Sequence, residues 1–205
     1  MKTSTIILAG GPSRRFGEDK GLALLAGKPL IAHIADRVDG LTDEIITVVS
    51  SPHQREAVTR ILDGRVRVVV DELDVRSPLV GAAAGFRNAR GEYSLLLPCD
   101  TPFVSREVLS LLLEISPGVN AVIPRWPNGY VEPLQAVYRT RRALQAAEET
   151  IRMGRLDMRS MISLLRRVRY VSTLVLKQLD PNLTTFFNLN TPQDLRRAEI
   201  LLQRG

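Results

Sequence analysis

Three features of the sequence predict a mostly parallel α/β fold. Short, continuously apolar runs alternate with longer segments of helical period. Those runs are apolar at successive rather than alternate positions, as expected of strands covered on both faces. The turns after them carry adjacent glycines, carboxylates and basic residues. The predicted architecture is a Rossmann-like, doubly wound, mostly parallel sheet with helices on both faces, folded as a single domain over residues 1–205.

In chain order, Thr5 to Ala9, Ile45 to Val49, Val66 to Val70, Tyr93 to Leu97 and Ala121 to Ile123 read as strands. Pro29 can start a helix with Leu30, Ile31, Ile34 and Val38 on one face. Ser105 can cap a second, turning Val108, Leu109, Leu112 and Leu113 inward. Leu134 to Tyr138 and Val168 to Val171 add further strands, one of them antiparallel. Residues 139–169 are arginine-rich and helical in pattern, either a solvated face or a surface for an anionic partner. The run Thr191-Pro192-Gln193-Asp194 starts the last helix, with Leu195, Ala198 and Leu202 as its buried stripe.

Composition narrows the function. A single cysteine, Cys99, excludes an intrachain disulfide and a multi-cysteine zinc site, and His33 and His53 lack metal-ligand spacing. No apolar run reaches the roughly 18–20 residues that span a bilayer. The stretch Ile6 to Ala9 is too short for an export signal, so a cytoplasmic protein with no membrane partner is expected. The net charge of +6 favours anionic ligands. Aromatics make up only 5% and no nucleic-acid motif is present, so nucleic acid is not an expected partner.

In a sheet of this kind, ligands bind beyond the carboxyl ends of the strands. The turn after the first strand reads Leu8-Ala9-Gly10-Gly11-Pro12-Ser13-Arg14-Arg15-Phe16-Gly17-Glu18-Asp19-Lys20. Bare glycine main chain can approach phosphate oxygens closely, and Arg14, Arg15 and Lys20 supply positive charge. The alternative is a glycine-rich turn with exposed basic residues. Neither G-x-G-x-x-G nor G-x-x-x-x-G-K-[ST] is present.

Asp100 follows the fourth strand in Pro98-Cys99-Asp100-Thr101-Pro102. A carboxylate there can hold Mg2+ bridging triphosphate oxygens, or can cap the next turn. Cys99 lacks the cysteine–five-residue–arginine spacing of a phosphatase, since six residues separate it from Arg106, and is expected to be a packing residue. Gly81 and Gly85 suggest close helix packing. Asn188 and Asn190 would share a side of an extended segment, or serve turn and capping chemistry.

The pattern L-A-G-G-x-x-x-R-x-G-x-x-K from Leu8 to Lys20 resembles the nucleotide signature of molybdenum cofactor guanylyltransferases. Pro98-Cys99-Asp100-Thr101-Pro102 resembles the family's metal motif, Ser77-Pro78-Leu79-Val80-Gly81 its G-P-L-x-G, and Phe187 to Pro192 its F-x-N-x-N-T-P. Two departures stand out. Ser77 replaces the usual glycine, and Glu132 precedes Pro133 where the best-known bacterial pattern has another polar residue.

The resemblance implies transfer of GMP from GTP to the phosphate of molybdopterin, with Mg2+ and release of pyrophosphate. It implies nucleotide contacts at Leu8, Ala9, Gly10, Gly11, Arg14, Lys20, Asp71, Gly81 and Asp100, with Asp71 otherwise readable as a solvated acidic turn. It implies catalytic roles for Lys20, Arg15 and Asp100, and a metal on Asp100. Asn188, Asn190 and Arg155 would meet the second substrate. Proteins that deliver the cofactor or accept the product would be partners. The alternatives are a cytidylyl or sugar-phosphate enzyme of the same fold, or a non-catalytic nucleotide-binding adaptor.

Overall fold

A computed structural model describes residues 1–10, 20–62, 64–71, 73 and 75–204. The chain runs β1 (Thr3–Leu8), a 3-10 turn (Lys20–Leu22), β2 (Leu24–Leu25), β3 (Lys28–Pro29), α1 (Leu30–Val38), β4 (Glu44–Val49), α2 (Pro52–Leu62), β5 (Arg67–Val70), α3 (Pro78–Asn88) and β6 (Tyr93–Pro98). It continues through α4 (Arg106–Glu114), β7 (Ala121–Arg125), β8 (Ala136–Arg139), α5 (Thr140–Arg152), α6 (Met158–Ser163), β9 (Val168–Ser172), α7 (Thr173–Leu176), a 3-10 turn (Thr184–Phe186) and α8 (Pro192–Arg204). Seven strands form one sheet in the order β5-β4-β1-β6-β8-β7-β9. All pair in parallel except at β8, which is antiparallel to both neighbours.

Alternate residues of each strand feed opposite faces. Ile7, Val49, Leu95 and Leu97 pack with α1, α2 and α4 on one side. Ile6, Val48, Leu96 and Tyr138 pack with α3, α5 and α6 on the other. Gly85 shows how close this packing is: a Cβ there would lie 2.4 Å from Ile6 Cγ2. The Gly81/Gly85 spacing therefore serves helix-on-sheet contact. A third, smaller cluster joins Leu25, Leu30, Phe103, Leu189 and Ala198, seating α8 on the β2–β3 hairpin.

The caps follow the chemistry of their sequences. Ser105 Oγ accepts from Val108 N–H at 3.2 Å, and the buried face of α4 is Val108, Leu109, Leu112 and Leu113. At α8, Asp194 Oδ2 accepts from Thr191 N–H at 2.9 Å while Asp194 N–H donates to Thr191 Oγ1 at 3.2 Å, a reciprocal capping box. Pro29 ends β3 and stands at the cap of α1 rather than inside it, with φ −57° and ψ 142°. The arginine-rich stretch is not one helical segment. Gly154, at φ +73°, turns the chain out of α5; Asp157 caps α6; and β9 completes the sheet edge. Among the described residues no helix is long and apolar enough to cross a membrane.

Candidate active site

Because β5, β4, β1 and β6 run parallel, their carboxyl ends form one rim. Main-chain bonds carry the register past the strands. Ala9 N–H donates to Val48 O at 2.8 Å, Asp71 N–H to Val49 O at 2.8 Å, and Cys99 N–H to Leu8 O at 3.0 Å. The residues that leave the sheet are thus held side by side: Gly10, Ser50, Asp71 and Asp100.

Beyond β1, β4 and β5 lies a pocket lined by Leu8, Gly10, Ser50, Asp71, Ser77 and Gly81. Gly10 fits because a Cβ would approach Ser50 N to 3.3 Å. The first turn of α3 forms one wall. Ser77 Oγ caps it by accepting from Val80 N–H at 3.2 Å, with φ −152°. That extended backbone needs no glycine, so the serine changes the family's usual residue without disturbing the turn. Asp71 is half-buried, accepts from Leu73 N–H at 3.2 Å and lines the pocket.

Asp100 stands next along the rim, half-buried beyond β6. The cap of α4 belongs to Ser105. Two other segments converge here. Leu189 N–H donates to Asp100 O at 2.9 Å, which places the Asn188–Asn190 stretch beside it. The turn Lys20–Leu22 packs at Gly21, where a Cβ would lie 3.5 Å from Ala9 Cβ and 3.7 Å from Cys99 Sγ. The main chain of Lys20 is therefore brought close to the β6 turn. Cys99 is buried in the core, as its packing reading predicts. Residues 11–19, including Gly11, Arg14 and Arg15, and the side chain of Lys20 lie outside the described residues.

β7 also ends on this rim, two strand spacings from β6, or roughly 10 Å. Trp126 follows it in a hairpin, and its Nε1–H donates to Glu132 Oε1 at 2.6 Å. The indole packs edge-to-face on Phe186, with centroids 5.8 Å apart. Burial pushes the Glu132 carboxyl above the usual glutamate range, against the opposing pull of the Trp126 hydrogen bond. Residues 186–189 thus bridge Trp126 to Asp100.

A family model described as a MobA-like NTP transferase domain matches residues 5–168. The chain is 35% identical over 202 residues to a molybdenum cofactor guanylyltransferase of Desulfosudis oleivorans, covering 98% of this chain and 96% of that one. A probable molybdenum cofactor guanylyltransferase of Pyrococcus horikoshii is 36% identical over 200 residues, covering 95% and 98%. The chain belongs to the MobA-like NTP transferase family. The crystal structure of molybdopterin-guanine dinucleotide biosynthesis protein A from Archaeoglobus fulgidus matches with a TM-score of 0.84 at 28% identity, covering 98% of this chain and all of that one. A cytidylyltransferase of Thermus thermophilus matches at a TM-score of 0.70 and 19% identity, a likeness of fold.

Within this MobA-like frame, Leu8, Gly10, Asp71 and Gly81 share one pocket, while Asp100 and Asn188 lie on one rim with it. Ala9 is buried. Asn190 is exposed, its N–H bound to Asp194 Oδ2 at 3.1 Å, and the α8 cap is supplied by Thr191 and Asp194. Arg155 is exposed in the turn between α5 and α6, and no bond among the described residues joins its side chain to the rim. Ser50 and Arg76 also line this pocket although neither stood out in the sequence. Ser50 could have been found by extending the carboxyl-end rule to the second strand of the sheet. No group of three or more His, Cys, Asp or Glu side chains is placed to hold a metal among the described residues. A hard divalent cation that draws most of its ligands from substrate phosphates needs only one or two carboxylates, and Asp100 meets that requirement.

Proposed function

We propose that this protein transfers GMP from GTP to the phosphate of molybdopterin, releasing pyrophosphate. The observation that carries the reading is the shared rim. It sets a small-residue pocket at one side, the half-buried Asp100 in the middle and the Asn188 segment next to it. The near-complete coverage of named guanylyltransferases supports the substrate pair.

The guanine would lie between Asp71 and the first turn of α3, where Gly81 leaves the main chain uncovered. A carboxylate such as Asp71 suits the paired N–H donors on the edge of guanine. The glycine turn would take the triphosphate, with Lys20 and Arg14 or Arg15 balancing charge on the departing pyrophosphate. Asp100 would hold Mg2+, which when bound neutralises phosphate charge and polarises the α-phosphorus. Asn188, Asn190 and Arg155 would orient the second substrate. A phosphate nucleophile is already ionised near neutral pH, so alignment and charge stabilisation suffice without a general base. The reaction uses soluble nucleotide, and the cytoplasm is its proposed setting. Cofactor-delivering and acceptor proteins are the proposed partners.

The test is mass detection of the product from molybdopterin with GTP, CTP, ATP or UTP and Mg2+. The guanine dinucleotide and pyrophosphate are expected from GTP. A cytosine product, or none, would overturn the reading.

A further inference from the structure

We propose that Trp126, oriented by Glu132, is the aromatic wall against which the planar ring of the second substrate stacks. The proposal rests on the function above and extends its second-substrate site to Trp126, which no motif identifies.

The indole is half-buried on the rim that carries Asp100. Several contacts fix its position, among them packing against the core cluster that holds Ile7 and Leu97. Its main-chain N–H donates to Tyr130 O at 2.8 Å, its Nε1–H donates to Glu132 Oε1 at 2.6 Å, and its ring meets Phe186 at 66°. Phe186 leads within two residues to Asn188, and Leu189 is bonded to Asp100 O. The nucleotide pocket lies on the opposite side of Asp100, beyond β1, β4 and β5. Along the sheet the order is therefore base pocket, carboxylate, amide, aromatic ring. A two-substrate transfer needs its second ring site on the side away from the base, and Trp126 occupies that side.

Glu132 makes sense in this setting. Half-burying a carboxylate is unfavourable unless it does something a neutral side chain does not, and such groups cluster at functional sites. Here it fixes the indole plane, so that the planar pyrimidine end of the pterin meets a ring already oriented. Stacking on a preset ring loses little conformational freedom. Trp126 is a binding residue and Glu132 a positioning residue.

Trp126 is the one tryptophan of the chain, so its emission reports on this site alone. Molybdopterin should quench it saturably and GTP should not. In steady-state kinetics, Trp126→Ala should raise KM for molybdopterin about tenfold, with KM for GTP within about twofold of wild type. Trp126→Phe, which keeps an aromatic face, should lie between. Glu132→Ala should raise KM for molybdopterin, and Glu132→Gln should restore it because an amide oxygen still accepts the indole N–H. Equal rises in both KM values, unchanged values in Trp126→Ala, or a Gln variant no better than Ala would each overturn the proposal. If wild type binds molybdopterin with quenching but forms no dinucleotide, the function fails while the wall stands. If wild type turns over and emission does not respond, the wall fails alone.

Discussion

Two carboxylates on the rim differ in what surrounds them, and each makes its own prediction. Asp100 is half-buried at the end of the central strand with its main-chain carbonyl bonded to the Asn188 segment. Removing one preorganised charge contact typically costs about 10²–10³ in rate. Asp100→Ala and Lys20→Ala should each lose activity on that scale while keeping the wild-type melting curve; near-normal turnover at saturating Mg2+ and GTP would refute their roles. Glu132 is the second case. Its carboxyl is raised above the ordinary value of 4.5 by burial, so the fold favours its protonated form. That contribution to stability is fully present below the ordinary value and is lost as pH rises through the raised one. A titration followed by Trp126 emission should show a midpoint above 4.5 that vanishes in Glu132→Gln. A midpoint at or below the ordinary value would contradict the burial account.

At the scale of elements, α3 carries two glycines with different duties. A Cβ at Gly85 would meet Ile6 Cγ2 at 2.4 Å, whereas one at Gly81 would meet Leu8 Cδ2 at 3.5 Å, an ordinary contact. Gly85→Ala should therefore destabilise by about 1–3 kcal/mol, with a smaller cost in an Ile6→Ala background, which removes the clashing Cγ2. Gly81→Ala should fold normally and weaken GTP binding. Denaturant melts and nucleotide titrations separate the two; a stable Gly85→Ala would show that the helix can lift off the sheet at little cost. Elements of this kind were readable where the local chemistry is strong. The runs at Ile45–Val49 and Tyr93–Leu97, the Ser105 cap and the Thr191–Asp194 box all reach the structure nearly as the sequence predicts. The first strand is shifted: it begins at Thr3 because Ser4 and Thr5 are buried in the sheet despite their hydroxyls, Ser4 Oγ bonding Glu44 and Thr5 Oγ1 bonding Thr42. α2 went unseen because its buried face is only Gln54, Val58 and Leu62, too sparse a stripe to stand out. The β2–β3 hairpin is two residues per strand, below any periodicity.

At the scale of the molecule, the site is assembled from both ends of the chain. The pocket residues come from the ends of three parallel strands, β1, β4 and β5, and from the start of α3, and the rim is completed by Asp100 and by residues 126–132 and 186–189. Motifs at strand ends were legible because a parallel sheet collects them on one edge. The Trp126–Phe186 contact was not, since sixty positions of chain separate its partners and neither lies in a motif of its own. Binding to the folded state alone raises stability by mass action. GTP with Mg2+ at about 100 times its Kd should add roughly 2.7 kcal/mol, which for a chain of this size is a rise of about 5–10 °C in Tm. The Mg2+-dependent part of that rise should be absent in Asp100→Ala; an equal rise without the carboxylate would remove the metal from it.

The most direct test of the shared rim is a crystal structure with Mg2+ and GTP. The guanine should lie between Asp71 and Gly81, with the triphosphate along the Gly10 turn and the cation on Asp100. A nucleotide bound elsewhere, or a cation held without Asp100, would contradict the account.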